Sequence, residues 1–212
     1  EPFFFNKSGD ENAQKTYARV MKFFVIACCF MFLFIGLFLD VFRWIFTTFA
    51  NPAWAEGMEV VPLLALGNIF LGIYYNLSIW YKLTNKNMYG AAITIGGAVI
   101  TIVLNIVLIP KLHYAGAALA TFCCYLFMMI CSYLLGQKYY RVPYAVKKLL
   151  AYLTLSVLLY FVHLAGVYLV AGSMLFSISA GIFLFLGFTW FVTKVEAKEL
   201  AKLPVVGKYF NR

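Results

Sequence analysis

Charged residues are scarce in this sequence. Asp, Glu, Lys and Arg make up 12% of the 212 residues and hydrophobic residues 64%. Soluble globular domains carry about 25% charged residues and roughly 45–50% apolar ones. From residue 149 to residue 193 there is no charged side chain at all. This balance excludes an ordinary soluble domain and predicts an integral membrane protein.

Motifs that mark common enzymes and cofactor sites are also absent. The sequence has no GxxxxGK[ST], HExxH, paired CxxC or GxSxG, so nothing indicates nucleotide, zinc or serine-hydrolase chemistry. All of the cysteines lie inside apolar stretches, where neither a disulfide framework nor a zinc site is expected. They are Cys28, Cys29, Cys123, Cys124 and Cys131. We therefore expect no catalytic residue, no metal and no cofactor.

The basic residues that do occur are concentrated in alternate gaps between six long apolar stretches. Fifteen of the 17 Lys and Arg residues lie in four segments, 7–22, 82–86, 138–148 and 194–212. Only Arg43 and Lys111 lie in the gaps between them. Cytoplasmic loops retain Lys and Arg during membrane insertion, so the pattern predicts six crossings with both ends of the chain inside. The net charge of +9 has the same explanation, and no nucleic-acid partner is expected.

The predicted transmembrane helices follow from the length that a bilayer requires. About 30 Å of hydrocarbon needs roughly 20 helical residues. A single helix over residues 149–193 would be about 68 Å long, roughly twice the membrane, so we divide it at Ala171-Gly172-Ser173. The predicted spans are about 23–46, 60–83, 87–110, 114–137, 149–170 and 173–193.

The regions outside these spans are short. Residues 1–22 are interpreted as the cytoplasmic end of a preceding helix followed by an amphipathic link on the inner surface, and residues 23–193 as a six-helix transmembrane domain. Residues 194–212 are interpreted as a basic cytoplasmic tail. The chain opens at Glu1 without a signal peptide, and we expect it to be the C-terminal fragment of a longer protein.

Polar residues within the second span form the most informative pattern. Asn68, Gly72 and Asn76 recur every four residues and share one helical stripe, with Tyr75 close by. Amides are costly in hydrocarbon without a partner, so this stripe is expected to face protein or water. One interpretation is a hydrogen-bonding wall for a hydroxyl-rich substrate. The other, which the pattern favours, is helix–helix packing with amides bonded across the contact.

Four further polar residues are candidates for function. Asn105, near the outer end of the third span, could line an outward-facing cavity or cap the approach to Pro110. His163 is the only ionisable residue deep in the last two spans and is a candidate proton relay. A structural role is favoured for His163, since no acid lies near it in sequence. Asp40 and Arg43 are three residues apart and are predicted to form an ion pair at the outer interface.

An ordered series of short segments extends over about residues 1–145. The segments are 1–5 (EPFFF), 17–22 (YARVMK), 59–67 (EVVPLLALG), 72–82 (GIYYNLSIWYK), 84–86 (TNK), 105–110 (NIVLIP) and 114–121 (YAGAALAT). This series resembles the polysaccharide-type flippases of the multidrug/oligosaccharidyl-lipid/polysaccharide exporter superfamily. The resemblance implies an all-α, polytopic fold of twelve to fourteen helices in two lobes, of which this chain supplies part of the C-terminal lobe.

The same resemblance implies a function. Such a protein flips undecaprenyl-diphosphate-linked oligosaccharide repeat units across the bacterial inner membrane by alternating access, for O-antigen, lipopolysaccharide or other surface polysaccharide. Its implied partners are the lipid-linked oligosaccharide, membrane lipids and the N-terminal lobe. The implied cavity is lined chiefly by the first two helices of each lobe, and this chain lacks those of its own lobe.

Two alternatives stay open. A drug or cation antiporter of the same superfamily is expected to hold a membrane-embedded carboxylate, and only Asp40, near the outer interface, comes close. A membrane enzyme of polysaccharide synthesis is expected to concentrate acids or histidines in an aqueous loop. Glu56 and Glu59 are spaced three apart in the first outer gap, with nothing else catalytic beside them.

Overall fold

The computed structural model describes residues 13–49, 57–170 and 173–200, and within these ranges it contains helices and no strand. The helices are α1 (Ala13–Leu37), α2 (Leu39–Phe49), α3 (Val61–Leu77), α4 (Ile79–Leu83), α5 and α6 (87–112 and 114–139, the two parts of Asn87–Tyr139), α7 (Val146–Leu169), α8 (Met174–Val195) and α9 (Ala197–Leu200). The predicted all-α class is therefore confirmed.

The segment that contains α5 and α6 reverses direction at His113. This residue has φ 49° and ψ −127°, a backbone conformation that side chains rarely adopt. A Cβ added to Gly116 would lie 2.6 Å from the Leu108 carbonyl carbon, whereas eight residues of continuous helix would separate them by about 12 Å. At the other end, the hydroxyls of Tyr89 and Tyr139 are 2.9 Å apart. Helices α5 and α6 thus form an antiparallel hairpin.

Long apolar helices account for all six predicted spans. Five helical stretches are long and apolar enough to cross a membrane, namely Ala13–Leu37, Gly57–Leu83, Asn87–Tyr139, Val146–Leu169 and Met174–Val195. Because Asn87–Tyr139 is a hairpin, it supplies two of the six. The chain is a helical bundle of the kind found in multi-pass membrane proteins. The start of α1, the end of α8 and the 82–86 and 138–148 connections lie at one end, which we call the lysine-rich end.

The first span differs from the prediction. Helix α1 begins at Ala13, so residues 13–22 continue into the membrane helix without a break instead of forming a separate surface link. The reason is packing, since Ala13 and Tyr17 are buried against Val142 in the α6–α7 connection. The helix is interrupted at Phe38, after which α2 continues to Phe49. Some predicted features fall on residues outside the described ranges: the start of the chain (1–12), Glu56, the turn residues Ala171 and Gly172, and the tail (201–212).

Helix α1 is the centre of the bundle. One of its faces, with residues at spacing four, is almost fully buried: Met21, Val25, Cys29, Leu33 and Leu37. Helices α3, α7 and α8 pack around α1, and the α5–α6 hairpin packs on α3. Glycines permit these close approaches, since a Cβ on Gly36 would meet the Tyr160 ring at 2.9 Å. Gly97 of α5 likewise lies against Met128 of α6, where a Cβ would meet the Met128 side chain at 3.0 Å.

We expect Gly116→Ala to destabilise the α5–α6 hairpin by about 1–3 kcal/mol, because the new methyl group meets backbone that cannot rotate away. Gly187→Ala is the matched control, since no atom lies within 4 Å of a Cβ there. That control should be neutral or stabilising by about 0.5–1 kcal/mol through helix propensity. Unfolding in mixed detergent micelles measures both, and equal stability of the two variants would contradict the hairpin packing.

Candidate functional site

The residues of the polar stripe in the second span do not all face the same way: one faces the bundle and others are exposed. Gly72 faces the bundle, where a Cβ would meet the Phe24 ring of α1 at 2.5 Å. Asn68 is exposed, and the Tyr75 side chain is 64% exposed. Asn76 is partly buried. Only the glycine of this stripe therefore serves the helix contact that the packing interpretation predicted.

The two amides are satisfied by their own helix. Asn68 Nδ2 donates to the Leu64 carbonyl at 2.9 Å, and Asn76 Nδ2 donates to the Gly72 carbonyl at 3.1 Å. Within the described part of the chain neither amide bonds to another helix. The predicted bonds across a helix contact are thus not formed, and the side-chain oxygens of Asn68 and Asn76 are left to accept hydrogen bonds from elsewhere.

The polar surface continues from α3 onto α5. The ring of Tyr75 is 5.7 Å from that of Tyr74, whose hydroxyl is 3.3 Å from the Thr94 hydroxyl. Thr101 and Asn105 follow Thr94 at seven and eleven residues, which places all three on one helical face. We call the set Asn68, Tyr75, Thr94, Thr101 and Asn105 the polar face. Asn105 Oδ1 is buried and has no hydrogen-bond partner among the described residues.

A second group of polar side chains lies at the end of the bundle opposite the lysine-rich end. Ser177 Oγ donates to Asp40 Oδ2 at 2.7 Å, and His163 Nε2 donates to the Ser177 carbonyl at 3.0 Å. His163 is 6% exposed. Sequence spacing gave His163 no acidic neighbour, but the fold brings Asp40 to it through Ser177.

The predicted ion pair between Asp40 and Arg43 is wrong. No ion pair in the described ranges includes either residue. Asp40 lies in the first turn of α2, where its carboxylate accepts the hydrogen bond from Ser177 of α8. Arg43 Nε is buried without a hydrogen-bond partner in the part of the chain that the structure describes. A spacing of three permits a pair on one helix, but here a neighbouring helix supplies the partner.

An ionic cluster at the lysine-rich end was not foreseen. Lys22 Nζ of α1 lies 2.6 Å from Glu196 Oε2, just after α8, and 2.5 Å from Glu199 Oε2. From α7, Lys148 Nζ lies 3.3 Å from Glu196 Oε1, to which the Tyr152 hydroxyl donates at 2.7 Å. Lys22 and Glu196 are 5% and 2% exposed. This ionic cluster joins α1, α7, α8 and α9.

One feature of the sequence could have pointed to the ionic cluster. Glu196 and Glu199 are the only acids after residue 193, in a tail otherwise rich in lysine. Their partner on α1, Lys22, is separated from Glu196 by 174 residues, so its identity follows only from the fold.

The carboxylate of Glu196 is held ionised by its partners. Burial by itself raises the pKa of this group, but hydrogen bonds from Lys22 and Tyr152 and the charge of Lys148 outweigh it. The net result is a pKa below the usual value for glutamate. A lowered pKa means that the cluster stabilises the fold above the usual glutamate pKa, and that this contribution is lost as the pH falls through the lowered value.

These features lie apart. The polar face is on the outside of α3 and α5, the Asp40–Ser177–His163 group is at one end, and the ionic cluster is at the other. Among the residues that the structure describes, no three His, Cys, Asp or Glu side chains come together as metal ligands.

No protein-family model, curated protein or solved structure matches the chain.

We expect Lys22→Met to destabilise the bundle by about 3–5 kcal/mol, because it removes the closest cation from a buried carboxylate. Lys15→Met is the control, since Lys15 is exposed and forms no ion pair within the described ranges. The second change Glu196→Leu, added to Lys22→Met, should recover part of the loss by removing the unpaired charge. Detergent unfolding measures all three, and a Lys22→Met protein as stable as Lys15→Met would contradict the assignment.

Proposed function

We propose that this chain forms part of the C-terminal lobe of a membrane transporter that flips undecaprenyl-diphosphate-linked oligosaccharides across the bacterial inner membrane. The transport serves the export of surface polysaccharide such as O-antigen, and the lysine-rich end is cytoplasmic. The ordered sequence segments that resemble polysaccharide-type flippases support this proposal. So do the six long apolar helices, the alternation of basic residues and the polar face.

The observation that carries the proposal is the exposure of the polar face. Amide and hydroxyl groups along the middle of an apolar helix are unfavourable against lipid hydrocarbon. The exposed Asn68 and Tyr75 are therefore expected to face water or a second lobe. A surface of amides, hydroxyls and an aromatic ring suits a sugar, because it offers both donors and acceptors to hydroxyl groups. Asn105 lies farther along the same face of α5, toward the end opposite the lysine-rich end, and is partly buried.

Transport by alternating access is largely a rocking motion of one bundle against another. Each bundle must then hold together while it moves. The ionic cluster supports this, since Lys22 of α1 and Lys148 of α7 both pair with Glu196 after α8, and Lys22 also pairs with Glu199 of α9. The buried face of α1 does the same through the middle of the bundle.

A specific observation favours the drug or cation antiporter as a second candidate. Ser177 donates from its hydroxyl to Asp40 and accepts at its backbone carbonyl from His163, so a carboxylate and an imidazole meet at one residue. A proton-coupled carrier needs such titratable groups within the membrane region. The role of His163 as a proton relay stays a prediction.

Deletion of the gene should cause lipid-linked repeat units to accumulate in the inner leaflet, with loss of surface polysaccharide. Complementation with Asn68→Leu combined with Tyr75→Leu should restore only a small part of the export. Ser179→Ala combined with Tyr168→Phe should restore all of it, because Ser179 and Tyr168 are exposed side chains away from the polar face. Extraction of lipid intermediates and immunoblotting of the membrane protein make the comparison at equal expression.

Unchanged polysaccharide and unchanged lipid intermediates in the deletion strain would contradict the flippase. Altered sensitivity to drugs or cations in the same strain, with normal intermediates, would favour the antiporter instead.

A further inference from the structure

Helices α6 and α7 are consecutive in the chain but do not run side by side. Elements that follow one another in sequence are usually neighbours in space, yet here α7 packs on α1 and α8, and α6 packs on α3. A cavity of about 250 Å³ lies between α6 and α7. Its sides are formed by Leu126, Met129 and Ile130 of α6 and by Leu149, Leu150 and Leu153 of α7. We call this cavity the α6–α7 groove.

The groove opens to the outside of the bundle. Ile130 and Leu150, on opposite sides of it, are 43% and 57% exposed. Apolar side chains of α1 and α3, including Met21 and Ile73, close its inner side. In a membrane this opening faces the lipid hydrocarbon. Because the groove is lined by apolar side chains, an acyl chain can enter it.

At its lysine-rich end the groove borders a polar pocket of about 420 Å³. Tyr133 and Tyr144 line both cavities, so the two adjoin at these rings. The polar pocket also contains Gln14, Gln137 and Arg141. Gln137 Nε2 donates to the Val142 carbonyl at 2.9 Å, which fixes the loop that carries Arg141.

The charge of this pocket is positive. Arg141 is exposed and forms no ion pair with any acid in the described ranges. Arg141 is the only charged side chain among the described residues that line this pocket. A guanidinium group offers paired donors that match a phosphate, and basic pockets between transmembrane helices bind anionic lipid headgroups. Tyrosines at the level of the headgroups are typical of the membrane interface.

We propose that the α6–α7 groove and the polar pocket together form a binding site for one anionic phospholipid. An acyl chain fills the groove, and the phosphate lies at Arg141 with the hydroxyls of Tyr133 and Tyr144 near it. The lipid fills the space between α6 and α7. The site depends only on the chain being in a membrane, and its occupant is distinct from the transported substrate proposed above.

The test uses the full chain reconstituted in nanodiscs of equal parts phosphatidylglycerol and phosphatidylcholine, followed by detergent extraction and native mass spectrometry. The unaltered protein should retain one phosphatidylglycerol in preference to phosphatidylcholine. Arg141→Gln should weaken retention about tenfold, as expected for the loss of one charged hydrogen-bonding partner. Lys147→Gln, which removes the same charge from a neighbouring residue outside both cavities, should leave retention unchanged.

A second pair of variants tests the groove independently of the headgroup. Ile130→Trp places a large ring in the groove and should lower retention of phosphatidylglycerol to a similar degree. Leu134→Trp, one turn along α6 at an exposed position outside the groove, should not. Thermal unfolding of all four variants shows that each is folded.

Other outcomes would overturn the proposal. Equal retention of phosphatidylcholine would mean that the pocket does not select charge. Displacement of phosphatidylglycerol by millimolar inorganic phosphate would mean that a free anion, and not a lipid, is recognised. Retention of a polyprenyl carrier or a second copy of the chain in place of the phospholipid would assign the groove to another occupant.

Discussion

The rest of this structure depends on the cost of placing an unpaired charge or an unpaired backbone polar group in hydrocarbon. Every described element is a helix, because a helix satisfies its own backbone groups within one segment. The basic residues lie at the ends of the long helices, and the most buried of them, Lys22, is paired with two carboxylates. The ionic cluster is permitted at the lysine-rich end because each of its charges has a partner there.

The sequence was sufficient to predict an all-helical chain with long apolar helices, because the bilayer imposes both length and charge distribution on the chain. Residues 87–139 illustrate this, since the predicted division near Pro110 lies three residues from the observed reversal at His113. The extent of α1 was not predictable in the same way. Residues 13–22 are amphipathic, and only their contact with Val142, far along the chain, shows that they belong to the bundle.

The candidate site was predicted less completely, for a physical reason. Helical spacing tells which side chains share a face, but it does not tell what covers that face. Asn68 and Gly72 share a stripe, yet Gly72 packs on Phe24 while Asn68 is exposed. Partners that are distant in sequence were missed altogether, as with the 137 residues that separate Ser177 from Asp40 and with the pairing of Lys22 and Glu196.

The central claim is that six crossings place the His113 turn and the lysine-rich end on opposite sides of the membrane. Single cysteines at Met88, Leu112, Lys147 and Tyr168, in a chain whose native cysteines are replaced, test it by labelling with a membrane-impermeant maleimide. The account predicts labelling of the Leu112 and Tyr168 positions in intact cells, and of the Met88 and Lys147 positions only after permeabilisation. Labelling of the Met88 and Leu112 positions from the same side would contradict it.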